Sequence, residues 1–341
     1  MKKTGLSVAL CTYNGERYLA KQLGSIAAQE RAPDELIACD DGSSDGTLRI
    51  LEEFARNSPF PVSIHANASN VGSNKNFEKA VLLCGGDIIA LADQDDFWFP
   101  HKLSRIEDAF RARPSAGVVF SNALVVDENL NPLGTTIWDR FEFTPGRRKR
   151  FDAGDAFGVL IRKNVVTGAT MAFRKAYLER IVPFPSMWVH DSWIAFIMSL
   201  YADLAYIDEP LIEYRQHPRQ QIGAKEKSTL TREAAFGDNS ASYANEFLRY
   251  SQAYRRIKKL RGTFAGYERV VKAVRDKVIY CYLRSHLPKE RRRRIRIVAM
   301  NLCSFRYHRY SYGFLSAAKD LFLARDPAGG RNEGAWRNTS L

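Results

Sequence analysis

Three carboxylates, Asp93, Asp95 and Asp96, fall within four residues, with Gln94 between the first two. Carboxylates this close repel one another unless a cation neutralises them. Magnesium and manganese suit such a cluster, because hard divalent cations take oxygen ligands from one or two carboxylates together with substrate phosphates. A solvated acidic turn has the same composition. The position of the cluster, directly after the apolar residues 88–91, argues for the metal. A second acidic turn, Asp40-Asp41-Gly42-Ser43-Ser44-Asp45-Gly46-Thr47, follows the apolar residues 36–39. A carboxylate there can accept a hydrogen bond from the imide N–H of uracil or thymine, and Asp45 can cap the next helix.

The elements that must position these turns are legible as alternating short apolar runs and longer amphipathic segments. This is the βαβα rhythm of a largely parallel sheet covered by helices. Strands are predicted over residues 6–12, 35–39, 62–66, 87–91, 117–126 and 165–173. Helices are predicted over 15–28, 45–56, 73–84, 101–111, 175–181 and 192–200. Both acidic turns then lie at the carboxyl edge of the sheet, where open α/β folds bind ligands. Residues 135–150, ending in Arg147-Arg148-Lys149-Arg150, read as an irregular loop. A linker is expected over 220–231, helices near 232–260, 267–283 and 295–323, and a frayed end over 327–341.

The 341 residues are 45% hydrophobic and 26% charged, ordinary values for a folded protein of two units. Five scattered cysteines without C-x-x-C spacing exclude a disulfide framework and a zinc cluster, and fit reduced thiols in a cytoplasm. No signal peptide and no transmembrane helix are expected. The net charge of +13 is concentrated at one end. Residues 1–224 hold 25 Lys and Arg against 28 Asp and Glu, and residues 225–341 hold 26 against 10. A basic region beside a near-neutral one is suited to a polyanionic surface.

Four motifs together carry a resemblance. Thr12-Tyr13-Asn14, the Asp40 to Thr47 turn, Asn70-Val71-Gly72 followed by Asn76, and Ala92-Asp93-Gln94-Asp95-Asp96-Phe97-Trp98 match in order and spacing. Over about residues 5–220 the chain resembles family 2 glycosyltransferases. The resemblance implies a GT-A-type, Rossmann-like sheet over residues 1–224, with an added helical region over 225–341. It also implies that Cys11, Thr12 and Tyr13 flank a nucleotide base, that Asp41 binds its imide, and that Glu16 and Lys75 lie near ribose or diphosphate. Asp95 would bind the metal, with Asp93 on ribose or a metal-bound water. In His190-Asp191 the family's catalytic base would be Asp191; the other use of that carboxylate is a helix N-cap. Gly168 and its neighbours would floor the acceptor site, with His190 and Trp193 beside it. Trp98, Trp188 and Trp193 offer faces for stacking on sugars or for core packing.

His217, in Tyr214-Arg215-Gln216-His217, can complete a metal shell or contact a diphosphate. With His190-Asp191 and the Asp93 cluster, this run is similar to the subset that builds bacterial surface polysaccharides, including rhamnosyltransferases. That implies an inverting transfer of L-rhamnose from dTDP-L-rhamnose, with UDP-sugars next, to a lipid-linked saccharide of O-antigen, capsule or exopolysaccharide. Ser192 departs from the Trp such proteins often carry.

The basic third alternates Val270, Val271, Val274, Ile279 and Tyr282 with Arg269, Lys272, Arg275 and Lys277, and the run Arg291-Arg292-Arg293-Arg294 follows. Such segments lie in an anionic membrane interface or pack as a bundle with a solvated basic face. The expected location is therefore cytoplasmic, peripheral to the inner face of the cell membrane. Two rival readings are a sugar nucleotidyltransferase and a nucleic-acid binder on a degenerate catalytic domain. No nucleic-acid partner is expected, because basic charge alone supplies only nonspecific binding. No G-x-G-x-x-G or P-loop run supports a dehydrogenase or an NTPase.

Overall fold

The computed structural model describes residues 4–218, 220 and 240–322. The chain divides into two compact units, one of Met1–Leu160 with Asn164–Glu226, the other of Ile161–Lys163 with Lys227–Leu341. The expected boundary after residue 224, the linker around it, residues 232–239 of a predicted helix and the frayed end lie outside the described residues.

The first unit starts with β1 (Leu6–Thr12), buried along its whole length. A strand covered on both faces needs a continuous apolar run rather than alternation, and this segment supplies one. It is followed by α1 (Glu16–Ala27), β2 (Glu35–Asp40), α2 (Thr47–Asn57), β3 (Val62–Ala66), α3 (Ser73–Leu83) and β4 (Ile88–Asp93). These agree with the predicted elements to within a few residues. β1 pairs in parallel with β2 and β4, and β2 with β3. Cys11 is level with Cys39 on one side and Asp93 on the other. The turns after three strands therefore open side by side on one edge.

The sheet continues through β5 (Phe97–Trp98), β6 (Ala116–Val126), β7 (Pro132–Thr136), β8 (Met171–Arg174) and β9 (Asp203–Arg215). Its order is β3-β2-β1-β4-β8-β6-β9-β5, with β7 on the side of β6. The longer ladders are parallel, and the short antiparallel β8 joins β4 to β6. Helix α3 packs on β1 and β2, and α4 (Lys102–Ala112) on β6 and β9.

Four departures from the predicted elements have local causes. Residues 135–150 are not an irregular loop: they form α5 (Ile137–Phe141) and most of α6 (Pro145–Asp152), with α7 (Ala156–Leu160) next. Thr136 and Asp139 cap α5 reciprocally, and Trp138, Phe143 and Phe151 bury their rings around Phe120. Each short helix donates only one or two large apolar residues, so no periodicity announces them. Strand β9 was not expected, since Pro210 and four carboxylates interrupt its pattern. It is held by its long parallel ladder with β6. Residues 168–170 leave the predicted strand as a 3-10 turn, because the Thr170 amide and hydroxyl both donate to the Thr167 carbonyl, at 3.0 and 2.9 Å. Finally, the short helix expected over 175–181 is present as a 3-10 turn (Lys175–Tyr177) running into α8 (Leu178–Ile181), but α9 (His190–Met198) starts two residues early. Asp191 is consequently inside the first turn of α9, and the N-cap position belongs to Val189.

The second unit is helical: α10 (Ser240–Lys258), α11 (Tyr267–Ser285), α12 (Arg291–Cys303), α13 (Arg306–Tyr310) and α14 (Phe314–Phe322). Of the basic residues expected on a lipid-facing or solvated face over 269–282, Lys277 does not face outward. Lys277 is buried against Glu246 at 2.8 Å, and Val270 and Val274 point inward. Arg284 meets both oxygens of the buried Asp320, at 2.6 and 2.7 Å, and the Tyr307 hydroxyl donates to the same carboxylate at 2.7 Å. Among the described residues no helix is long and apolar enough to cross a membrane.

Removing one member of a buried ion pair costs about 3–5 kcal/mol, because the other charge is left without a partner in a dry interior. Asp320→Ala is expected to lower the unfolding free energy by that amount in urea titration, with the loss seen as an earlier transition of helical signal.

Candidate active site

A cleft of about 590 Å³ opens at the carboxyl edge of β1, β2 and β4. Its wall includes Cys11, Thr12, Tyr13, Asp41, Asp93, Asp95, Gly168, His190, Asp191 and His217. These come from strand ends, from two turns and from the start of α9. The fold has gathered into one place residues more than two hundred positions apart.

The turn after β2 is hydrogen-bonded both within itself and to the end of β1 and the residues that follow it. Buried Asp40 accepts from the Thr12 hydroxyl at 2.8 Å and from the Ser43 amide at 2.8 Å and hydroxyl at 2.6 Å. Its neighbour Asp41 faces the other way. It accepts from the Val71 amide and the Asn67 side chain on one oxygen, at 2.8 and 2.9 Å, and from the Gly72 amide on the other, at 2.9 Å. A carboxylate has about four lone-pair positions, so one remains to accept a further donor from the cleft.

The Asp93 cluster is sorted by direction. Asp96 is fully buried, accepts from the Arg215 amide at 3.2 Å, and lies near Lys102. Burial, and then the charges of Asp95 and Asp93, raise its carboxyl well above the usual range. Asp95 meets His217 Nε2 at 2.7 Å, while the Arg215 guanidinium donates to the Asp95 carbonyl at 2.6 Å and lies over the Tyr18 ring. Asp93 faces the cleft. Burial, followed by the charges of Asp95 and Asp191, pushes its carboxyl up to about 7, with Lys102 opposing. Gln94 turns back to the first strand's turn, accepting from the Tyr13 amide at 2.8 Å and donating to the Tyr13 carbonyl at 3.0 Å. A Cβ on Gly15 would lie 2.2 Å from the Gln94 side chain, so this brace requires glycine there.

Asp191 is oriented from two sides: one oxygen accepts from the Gly168 amide at 3.0 Å, the other from the Ser192 amide and hydroxyl. The 168–170 turn is in turn held by Lys102, whose buried amine donates to the Ala169 carbonyl at 2.7 Å and lies over the Trp98 ring. His190 stacks on Phe77 with ring centroids 3.9 Å apart. Both of its ring nitrogens are buried without a hydrogen-bond partner, and burial lowers its pKa, which keeps the imidazole neutral.

Other predicted residues are placed elsewhere. Trp193 is fully buried, donating its indole N–H to the Ile181 carbonyl at 2.6 Å and packing edge-on to Trp188, so it is core and not an acceptor platform. Trp98 and Trp188 are buried as well. Glu16 accepts from the Gly46 amide at 3.0 Å and thereby ties α1 to the start of α2. Lys75 is half-exposed and paired with Glu78 at 2.9 Å. Neither lines the cleft. Lys102 and Gln94, by contrast, were not singled out in the sequence, where they look like an ordinary helix-start lysine and a spacer.

Among the described residues no three His, Cys, Asp or Glu side chains already form a metal cage. The donor set nonetheless suits a divalent cation that a diphosphate completes: an Asp95–His217 pair beside an Asp93 whose ionisation is disfavoured by burial and by the neighbouring carboxylates.

The sheet order, with acidic turns converging at its carboxyl edge, defines a GT-A glycosyltransferase. The sequence pattern of Glycosyl transferase family 2 matches residues 7–182, and the chain belongs to that family. Among its relatives, dTDP-rhamnosyl transferase RfbG of Shigella flexneri is 29% identical over 226 residues, spanning 63% of this chain and 74% of the relative. An uncharacterised glycosyltransferase of Nostoc, alr2836, is 24% identical over 262 residues, 71% of this chain and 75% of its own length. Residues 1–349 of Staphylococcus aureus TarS, solved with UDP-GlcNAc, superpose with a TM-score of 0.57 at 15% identity, covering 92% of this chain and 90% of that one. The protein is thus a glycosyltransferase enzyme related to transferases of surface polysaccharides.

A Cβ on Gly168 would fall 2.8 Å from His190 Nε2. Gly168→Ala is expected to destabilise the fold by about 1–3 kcal/mol and, by displacing His190 and Asp191, to lower transfer activity by roughly 10²-fold. Urea titration and a sugar-transfer assay on the same sample check both.

Proposed function

We propose that the enzyme transfers a sugar with inversion from a nucleoside diphosphate donor to a hydroxyl of a lipid-linked saccharide. L-Rhamnose from dTDP-L-rhamnose is the first donor, with UDP-sugars next. The observation that carries this reading is that Asp41, Asp93, Asp95 and Asp191 all open onto one cleft. The rhamnosyl relative supports the choice of donor.

In this reading Cys11, Thr12 and Tyr13 wall the base, and Asp41 takes its imide N–H on the remaining lone pair. Asp93 binds ribose or a metal-bound water. Asp95 and His217 hold magnesium or manganese, which when bound neutralises charge that builds on the departing diphosphate. Asp191, held by Gly168 and Ser192, takes the proton of the acceptor hydroxyl as that oxygen attacks the anomeric carbon. The neutral, unpartnered His190 beside it can both donate to and accept from sugar hydroxyls. A lipid-carried acceptor puts this chemistry at a membrane, the inner face of the cell membrane being where cytoplasmic nucleotide-sugars meet such carriers.

Two variants separate binding from chemistry. dTDP-rhamnose with manganese is expected to raise the melting temperature of the wild type, and Asp95→Ala to abolish the metal-dependent part of that shift. A full shift in the variant removes Asp95 from the metal site. Asp191→Asn is expected to bind donor as the wild type does while turnover drops roughly 10²–10⁴-fold. Wild-type turnover excludes Asp191 as the base.

A further inference from the structure

Helix α14 presents its apolar face outward. Phe314, Leu315, Ala318 and Phe322 fall at i, i+1, i+4 and i+8, one stripe of a helix, and all are exposed. The three large ones are 72%, 77% and 81% exposed. The opposite face carries Ser316, Ala317 and Asp320, which are buried, with Asp320 clamped by Arg284 and Tyr307. A helix of a soluble bundle has the reverse arrangement.

The patch extends beyond this helix. Phe305 is 66% exposed, and its backbone is held in the left-handed region at φ 56°. The His308 ring lies between it and Phe314, with centroids 6.1 and 4.7 Å away. Tyr312 is exposed in the same segment, as are Ile295 and Met300 on α12. Along this stretch of chain basic residues dominate. Residues 286–322 carry nine Lys and Arg against two carboxylates, one of which is the buried Asp320. Arg291, Arg292 and Arg296 are exposed, as are Arg293 and Arg309, which pair with Glu290 at 2.8 Å and Asp276 at 3.5 Å.

We propose that α12–α14 form a docking surface for an anionic phospholipid bilayer. Phe305, Phe314, Leu315 and Phe322 enter the boundary between headgroups and acyl chains, Tyr312 lies at that boundary, and the exposed arginines meet the phosphates. A bilayer offers hydrocarbon beneath a layer of negative charge, which complements both features of the surface at once. Long arginine stems can lie along apolar surface while their guanidinium groups stay at the phosphates. A second copy of the chain matches less well, since pairing two such faces brings two basic rims together. The surface differs from residues 269–282, where Val270, Val274, Val278 and Lys277 are buried. The inference fits the reading of a lipid-carried acceptor and can fail independently of it.

The test uses the full chain and needs neither donor nor acceptor. Wild type is expected to co-sediment with mixed phosphatidylglycerol–phosphatidylcholine vesicles, weakly with phosphatidylcholine alone, and less at raised salt. The triple variant Phe314→Ser, Leu315→Ser, Phe322→Ser is expected to lose vesicle affinity by at least about tenfold, with an unchanged urea midpoint showing that the bundle is intact. The variant Arg291→Gln, Arg292→Gln, Arg296→Gln is expected to lose the preference for phosphatidylglycerol. Undiminished binding by the serine variant, no binding by the wild type, or self-association of the wild type that the serine variant abolishes would each overturn the proposal. Donor-induced stabilisation, measured on the same variants, is expected to be unchanged. Its absence from the wild type would count against the donor reading and leave the vesicle result standing.

Discussion

Carboxylate crowding is the constraint around which the first unit is organised. Asp93, Asp95, Asp96 and Asp191 share a poorly hydrated region, where like charges interact more strongly than in water. The chain meets this by giving each a different environment. Asp96 is withdrawn toward Lys102 and the Arg215 amide, Asp95 is matched with His217, and Asp191 is satisfied by amides of Gly168 and Ser192. Asp93 is left facing the cleft, with the charge of Lys102 opposing burial and its neighbours' charges. Further positive charge is what a cation with its diphosphate would bring.

The braces behind these carboxylates matter as much as the carboxylates. From the end of β9 the Arg215 guanidinium holds the Asp95 carbonyl and the Arg215 amide holds the Asp96 carboxylate, and Lys102 holds the 168–170 turn from the start of α4. Each is a buried basic side chain whose hydrogen bonds go to backbone carbonyls, so each fixes chain direction; burial pulls the Lys102 amine well below its ordinary range, so its role there is the hydrogen bond. Mutual support from the far side of the sheet lets a turn of four acidic and amide residues keep one geometry. Gln94 adds a third brace by joining the turn after β4 to the turn after β1.

The second unit treats its excess charge differently. Some of it is drawn inside and paired, as with Lys277 and Glu246 or Arg284 and Asp320. The rest stays outside, beside aromatic side chains that the bundle could have buried and does not. Internal pairing of this kind holds α14 with its polar face inward, and the exposed apolar stripe is the geometric consequence.

Much of the parallel half of the sheet was legible in the chain. Buried parallel strands demand unbroken apolar runs, and helices that cover them demand 3.6-residue periodicity, so residues 6–93 state their structure locally. The two acidic turns declared their own importance, because carboxylates are costly to crowd without a function. What only the tertiary structure decided is where elements of mixed character go. Strand β9 carries a proline and four acidic residues, and the 137–160 helices contribute single aromatics; both are held by partners far away in sequence. Trp193 illustrates the same limit, since one indole serves equally for stacking on a sugar or filling a core, and only its surroundings assign it to the core. The roles of Lys102 and Arg215 depend on which carbonyls they reach, and the outward face of α14 depends on Asp320 finding Arg284. Pattern along the chain records burial and periodicity; it does not record the partner of a buried charge, because that partner is chosen by folding.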